Sequence, residues 1–298
     1  MATLTPITVA ITGAYQTKLS LDGTWAFNAK PKADFYKQEA GKDWNPIVVP
    51  GQWSMQGFEV DSLQYAGYLR TFSVPKDWNG NTLKIRFDGV SSESEIYLNG
   101  QKVGYHLGGM TAFEVDITST VKIGQENLLA VKVRSESLAD MLGSLTQYAA
   151  HQLGGITRKV TLFAVPKTHI EDLRVETILD KEFKDAELRV FAKIVNTTDE
   201  PQKDLSVRLT LDNSNFVVEK DIPNIPAKGE WTGYLSGTVK NPLKWDNEHP
   251  NLYLMKLDLS QKREVKEQIN KKIGFREIQV IGNQVFVNGK AIKLAGVC

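Results

Sequence analysis

The sequence predicts an all-β protein built as two β-sandwiches in tandem. From Leu19 onward, nearly every segment is a short run in which apolar and polar residues alternate, the period of a half-buried strand. Gly, Pro and Asn-Gly punctuate these runs, and no segment of convincing length carries a helical period. The chain has 298 residues, too many for one ordinary domain and suited to two that each bury a core.

The first set of strands is expected at residues 24–27, 47–50, 68–74, 82–87, 94–98, 101–105, 112–115, 127–133 and 158–165. The clearest hairpin is Ser94-Glu95-Ile96-Tyr97-Leu98-Asn99-Gly100-Gln101-Lys102-Val103-Gly104. Ile96 and Leu98 face one side there, and Asn99-Gly100 supplies the two positive φ angles of a type I′ turn. Residues 34–41 are either one helical turn or an irregular insertion. Residues 137–150 are either a short helix or a long loop, and a loop of that length inside a compact domain tends to be functional.

Around Pro166-Lys167-Thr168 the strand register is interrupted and the pattern changes. Residues 170–179, 186–196, 205–211, 230–238 and 252–260 are longer strands at wider spacing, as in an immunoglobulin-like sandwich of about 100 residues. Asn196-Thr197-Thr198 has the form of a glycan acceptor but reads as a turn. Near the end, 277–281 and 284–287 are short strands separated by Gly282-Asn283. Asn288-Gly289 is a second tight-turn signal, and 291–297 is a third strand apolar enough to be buried. A buried strand without a partner leaves its backbone groups unsatisfied, so the sequence reads as a truncated chain.

Composition narrows the partners. Hydrophobic residues make up 41% and charged residues 24%, ordinary values for a globular domain. Lys+Arg number 36 against Asp+Glu 35, a net charge of +1, which gives no electrostatic reason to expect nucleic acid or an anionic membrane and favours neutral substrates. The only cysteine is Cys298, which excludes an intrachain disulfide and a Cys-based metal site. His106, His151, His169 and His249 show no ligand spacing, so no metal and no cofactor is expected. The first residues have neither a positive n-region nor a long apolar run. The protein is then cytoplasmic, or periplasmic or secreted with its signal removed.

Several motifs occur in a fixed order. Leu21-Asp22-Gly23-Thr24-Trp25-Ala26-Phe27, Val49-Pro50-Gly51-Gln52-Trp53 and Tyr68-Leu69-Arg70-Thr71-Phe72-Ser73-Val74-Pro75 come first. Phe87-Asp88-Gly89-Val90, Leu98-Asn99-Gly100, Val103-Gly104-Tyr105-His106-Leu107-Gly108-Gly109 and Phe113-Glu114-Val115-Asp116-Ile117-Thr118 follow, and Gly154-Gly155-Ile156-Thr157-Arg158 closes the set. Together they resemble the N-terminal sugar-binding jelly roll of glycoside hydrolase family 2, the β-galactosidases, β-glucuronidases and β-mannosidases. Trp245-Asp246-Asn247-Glu248-His249-Pro250-Asn251-Leu252-Tyr253 resembles the last strands of that family's immunoglobulin-like domain. Gly274-Phe275-Arg276 through Leu294-Ala295-Gly296-Val297 resembles the start of its catalytic (β/α)8 barrel.

The resemblance implies a jelly roll over 1–168, an immunoglobulin-like sandwich over 169–274 and a truncated barrel start over 275–298. It implies the non-catalytic N-terminal portion of an enzyme that hydrolyses terminal β-glycosidic bonds, β-galactosidase-like, with carbohydrate and the missing barrel as partners and homo-oligomers common. A free-standing carbohydrate-binding or adhesive module is the alternative, because fold alone does not assign function.

Retaining hydrolysis needs two carboxylates about 5–5.5 Å apart, which the family places as glutamates on barrel strands, so no catalytic residue is expected here. Asn247-Glu248 imitates the acid/base motif but falls in the second sandwich. Glu93 and Glu95 point to one face of a strand and read as solvated, whereas Glu59 and Asp61 lie in a polar and aromatic loop. The resemblance brings that loop and the one before Gly154-Gly155-Ile156 toward the barrel mouth. Gln64-Tyr65 and Gln147-Tyr148 through His151 stand where some β-galactosidases carry an asparagine and an aspartate, a departure that bears on galactose specificity. Trp53, Gln64, Tyr65, Tyr148 and His151 are therefore the candidate sugar contacts, by ring stacking and hydrogen bonding, with Trp53 also suited to anchoring the loop.

Overall fold

The structure, a computed structural model, describes residues 18–61, 64–135, 153–294 and 296. Tyr148, His151, Cys298 and the segment 137–150 lie outside the described residues. The chain divides between Ala164 and Val165 into two compact units.

The first unit is a two-layer β-sandwich. Its strands are β1 (Lys18–Ser20), β2 (Gly23–Asn28), β3 (Asn45–Val49), β4 (Ala66–Ser73), β5 (Thr82–Phe87), β6 (Val90–Ser91), β7 (Glu93–Leu98), β8 (Gln101–Leu107), β9 (Phe113–Asp116), β10 (Glu126–Arg134), β11 (Gly155–Ile156) and β12 (Val160–Val165). They form a four-stranded sheet in the order β1-β12-β5-β9, a six-stranded sheet in the order β3-β2-β4-β10-β7-β8, and the small pair β11-β6. Strand β10 illustrates why the layers form. Leu129, Val131 and Val133 enter the core between the sheets beside Trp25, Phe27, Ile85 and Ile96, while Leu128, Ala130, Lys132 and Arg134 take the opposite face, as a period of 2 requires.

That opposite face has its own small apolar cluster of Phe35, Leu69, Tyr97 and Ala130, with Tyr36 and Trp44 against it. The segment read as either a helical turn or an insertion is a single 3-10 turn at Phe35–Lys37. It lays Tyr36 flat on Tyr97, ring centroids 3.9 Å apart. The Asn99-Gly100 turn takes φ of 50° and 83°, as the type I′ reading requires. The Asn99 amide also donates to Thr120 O and Asn127 Oδ1, tying the hairpin tip to the start of β10. The register slips by one residue between Ile96 and Tyr97, a bulge that the alternation alone does not reveal.

The second unit is a seven-stranded sandwich followed by a three-stranded sheet. Strands β13 (Thr168–Leu179), β14 (Ala186–Asn196) and β17 (Glu230–Val239) form one layer in the order β13-β14-β17. Strands β15 (Leu205–Leu211), β16 (Val217–Ile222), β18 (Tyr253–Gln261) and β19 (Glu264–Ile273) form the other in the order β16-β15-β18-β19. Leu188, Val190, Ala192 and Ile194 of β14 alternate into a core shared with Val207, Leu209, Leu257 and Leu259.

Strands β20 (Ile278–Ile281), β21 (Gln284–Val287) and β22 (Lys290–Ile292) make the last sheet. Asn288-Gly289 turns with φ of 49° and 74°, and the Asn288 side chain accepts from Glu277 N and donates to Trp245 O. The expectation of a buried third strand over 291–297 is corrected for its described residues, 295 and 297 lying outside them. Strand β22 stops at Ile292 and has β21 as its one neighbour. Lys290 and Ala291 of this edge strand are exposed, Ile292 is half-buried, and Leu294 beyond it is 78% exposed. Strands at Lys18–Ser20, Val90–Ser91, Gly155–Ile156, Val217–Ile222 and Glu264–Ile273 are additions to those read from the sequence.

Candidate functional site

The loop from Gly51 to Tyr65 is fastened to the first unit before it offers anything to a ligand. Gly51 N donates to Ile156 O at 2.9 Å and Trp53 N to Gly154 O at 3.3 Å. The Gln56 side chain accepts from Val48 N at 2.8 Å and donates to Val48 O at 3.0 Å. Trp53 is 4% exposed and belongs to the core, and the loop before β11 passes so close that a Cβ on Gly154 would lie 2.1 Å from the indole. Trp53 is thus packed so that it anchors the loop.

Past that anchor the loop becomes polar. Glu59 and Asp61 are exposed, and half-buried Gln64 bonds back to Asp61 through its amide and side chain at 2.9 and 3.4 Å. Tyr65 reaches the outer face of the six-stranded sheet, where its hydroxyl donates to Glu93 Oε1 at 3.1 Å. The Tyr105 hydroxyl approaches the same oxygen at 3.4 Å, and Arg134 donates to Glu93 Oε2. One step along the sheet, Glu95 accepts from Lys102 Nζ at 3.0 Å, Tyr97 Oη at 2.7 Å and Lys132 Nζ at 3.4 Å. Lys132 Nζ also sits 4.0 Å from the centroid of the Tyr65 ring, a cation–π distance.

The reading of Glu93 and Glu95 as solvated is corrected by this cluster. They do point to one face, but Glu93 is only 7% exposed. The pairing of β10 with β7 puts Lys132 opposite Glu95 and Arg134 opposite Glu93, and the pairing of β7 with β8 puts Tyr105 opposite Glu95. Directly opposed side chains on one face of a sheet lie close enough to pair.

The electrostatics follow from these neighbours. Burial raises the Tyr65 hydroxyl above its ordinary pKa, and the charge and hydrogen bond of Glu93 raise it further. Tyr105 is raised in the same order of causes. Burial alone would raise Glu95, but hydrogen bonds from Tyr97 and Lys102 and the charge of Lys132 outweigh it and hold the carboxyl below its usual range. A general acid needs the reverse, a carboxyl held protonated near neutral pH. The cluster therefore presents Glu95 as an ionised carboxylate, beside fixed cations and phenol rings, the groups of a hydrogen-bonding surface.

Asn247-Glu248 lies in an exposed bend where Asp246 Oδ1 accepts from Glu248 N at 2.9 Å and His249 N at 2.6 Å; the His249 amide is the main reason the Asp246 carboxyl is lowered. His106 lies against the Phe113 ring at 4.0 Å, its pKa lowered by burial. His169 is buried beside Glu171, 2.8 Å away. Among the described residues no three His, Cys, Asp or Glu side chains gather into a metal-binding group. Sequence reasoning singled out Tyr65 but missed Tyr105, Lys132 and Arg134; their one signal was an outward period-2 position, which does not name a partner.

Comparison with known proteins gives a consistent result. Residues 18–166 match the model of the sugar binding domain of glycosyl hydrolases family 2, and residues 168–276 match a second model of glycosyl hydrolases family 2. A β-galactosidase of Priestia megaterium is 31% identical over 313 residues, covering 93% of this chain and 30% of the relative. A β-galactosidase of Kluyveromyces lactis is 33% identical, covering 93% of this chain and 31% of the relative. Among solved structures, Bacteroides uniformis β-glucuronidase 2, covalently bound to cyclophellitol-6-carboxylate aziridine, superposes with a TM-score of 0.81 at 25% identity. It covers 95% of this chain and 35% of that one. The chain spans about a third of the length of these relatives.

Proposed function

The chain belongs to glycosyl hydrolase family 2, and on that premise we propose that it is the non-catalytic N-terminal portion of an enzyme that removes terminal β-linked sugars, β-galactosidase-like in class. The observation that carries this reading is the continuous match of both sandwiches, 18–166 and 168–276, to one family whose members extend about three times as far. The electrostatics agree with it, because every carboxyl with a resolved shift among the described residues is lowered, away from what an acid catalyst needs. In this proposal the catalytic glutamates belong to a barrel following these domains, and Gln64 and Tyr65 sit on the loop that borders its mouth.

The test is turnover of nitrophenyl β-galactoside and β-glucuronide by this 298-residue chain beside a longer version that includes the barrel. Turnover is expected from the longer version alone. Hydrolysis by the 298-residue chain itself would overturn the reading. A second reading, a carbohydrate-binding module, draws on the open face around Tyr65 and Tyr105, where Tyr105 is 53% exposed. Calorimetric titration of this chain with galactose and glucuronate separates the two, since binding without turnover in the longer version favours the module.

A further inference from the structure

The second unit carries a groove that the glycosidase reading does not use. Among the described residues, strands β13 and β19 end their respective sheets, each with a single hydrogen-bonded neighbour. Between them lies a cleft of about 610 Å³ bordered by residues 173–178 of β13, by 271–274, and by Trp245, Leu252 and Arg276. Six residues of strand extend roughly 20 Å, so this is a channel with the length of a short extended peptide. The Thr177 hydroxyl donates to Gly274 O at 3.3 Å and approaches Arg276 O at 3.4 Å.

Its charge is one-sided. Arg174, Lys271, Lys272 and Arg276 line it against Glu176 alone, four cations and one anion, a net +3. Glu176 is already held by Arg174 at 2.7 Å and Arg189 at 3.8 Å. The Arg276 guanidinium lies 4.5 Å from the Trp245 ring centroid. Lys271 is half-buried, burial lowers its pKa, and Asp172 is the one acid opposing that shift.

We propose that this groove docks an acidic peptide in extended conformation, added as a strand along the free edge of β13 with its carboxylates on Lys271, Lys272 and Arg276. Two independent features support that occupant. Among the described residues no strand pairs with the outer edge of β13, and such an edge offers backbone N–H and C=O groups, the template that strand addition uses. The lining cations complement glutamates or aspartates on alternate positions, while Leu252 and Ile178, both exposed, can take the apolar residues between them. The same cations repel a second copy of this edge, because edge lysines work against pairing of like strands.

The test uses the full chain and a fluorescein-labelled octapeptide alternating Glu and Val, beside a counterpart alternating Lys and Val. Anisotropy is expected to report binding of the Glu peptide alone, weakening by about tenfold or more as salt rises from low to high. The double variant Lys271→Gln/Arg276→Gln should weaken it roughly tenfold, and Lys272→Glu, at an exposed position, should weaken it independently; circular dichroism checks that both variants fold. Amide exchange should slow at 173–176. Equal binding of the Lys peptide, unchanged affinity in the variants, unchanged exchange along β13, equal competition by an oligouronate, or no binding at all would each overturn the proposal.

Discussion

Replacing Glu93 by alanine is the sharpest probe of the outer-face cluster. The substitution removes an acceptor that is 7% exposed and leaves three donors behind: Tyr65 at 3.1 Å, Tyr105 at 3.4 Å and Arg134. A hydrogen bond to a charged group contributes roughly 1.5–3 kcal/mol, and the Tyr65 contact is the short one of the two phenols. The Tyr105 contact is long and adds little. The Arg134 side chain is 31% exposed and can turn to water, so its pairing with Glu93 belongs on the surface scale of roughly 0.2–1 kcal/mol. The expected loss is about 2–3 kcal/mol. With a slope of about 2 kcal/mol per molar urea, the unfolding midpoint of the first unit should fall by roughly 1 M. Fluorescence of its buried tryptophans, Trp25, Trp53 and Trp78, reports that transition. In the same variant, NMR titration of ring-labelled tyrosine should show Tyr65 and Tyr105 ionising at lower pH than in the parent, with Tyr65 still above its ordinary value because burial is its larger cause. An unchanged midpoint together with unchanged tyrosine titration would refute the cluster as drawn, and a double-mutant cycle with Arg134→Ala would isolate the ion pair.

Two further outcomes follow from the same unit. Gly154→Ala should destabilise it by about 1–3 kcal/mol or more, because the new Cβ meets the rigid Trp53 indole at 2.1 Å and overpacking of a filled core costs that much; a thermal midpoint equal to the parent's would show that the loop yields freely. Glu95 sets an acid limb: its folded pKa lies below the ordinary value of 4.5, so its contribution is complete above that value and is lost as pH falls through the depressed one. Urea midpoints measured downward from pH 6 should therefore decline more gently in Glu95→Gln than in the parent, and parallel declines would contradict the assignment.

The local grammar of this protein is written in its sequence. Alternation over residues such as 186–196 predicts β14 with the bounds it has, because a strand with one buried face must repeat every second residue. Asn99-Gly100 and Asn288-Gly289 predict their turns, because few other residues accept two successive positive φ values. The order of the motifs carries the family. Pairing between distant segments was decided only in the tertiary structure. Glu93 and Glu95 look like surface carboxylates until the register sets Arg134 and Lys132, 41 and 37 residues away, beside them. Strand β19, Glu264–Ile273, is too polar to announce itself, and it becomes a strand because β18 offers it a ladder. Trp53 reads from the sequence as a sugar contact or an anchor, and only the fold shows that Gly154, 101 positions on, packs against its indole. A sequence states what each residue prefers locally, whereas the faces left open to a ligand depend on which strands meet, and those meetings join residues that share no local signal.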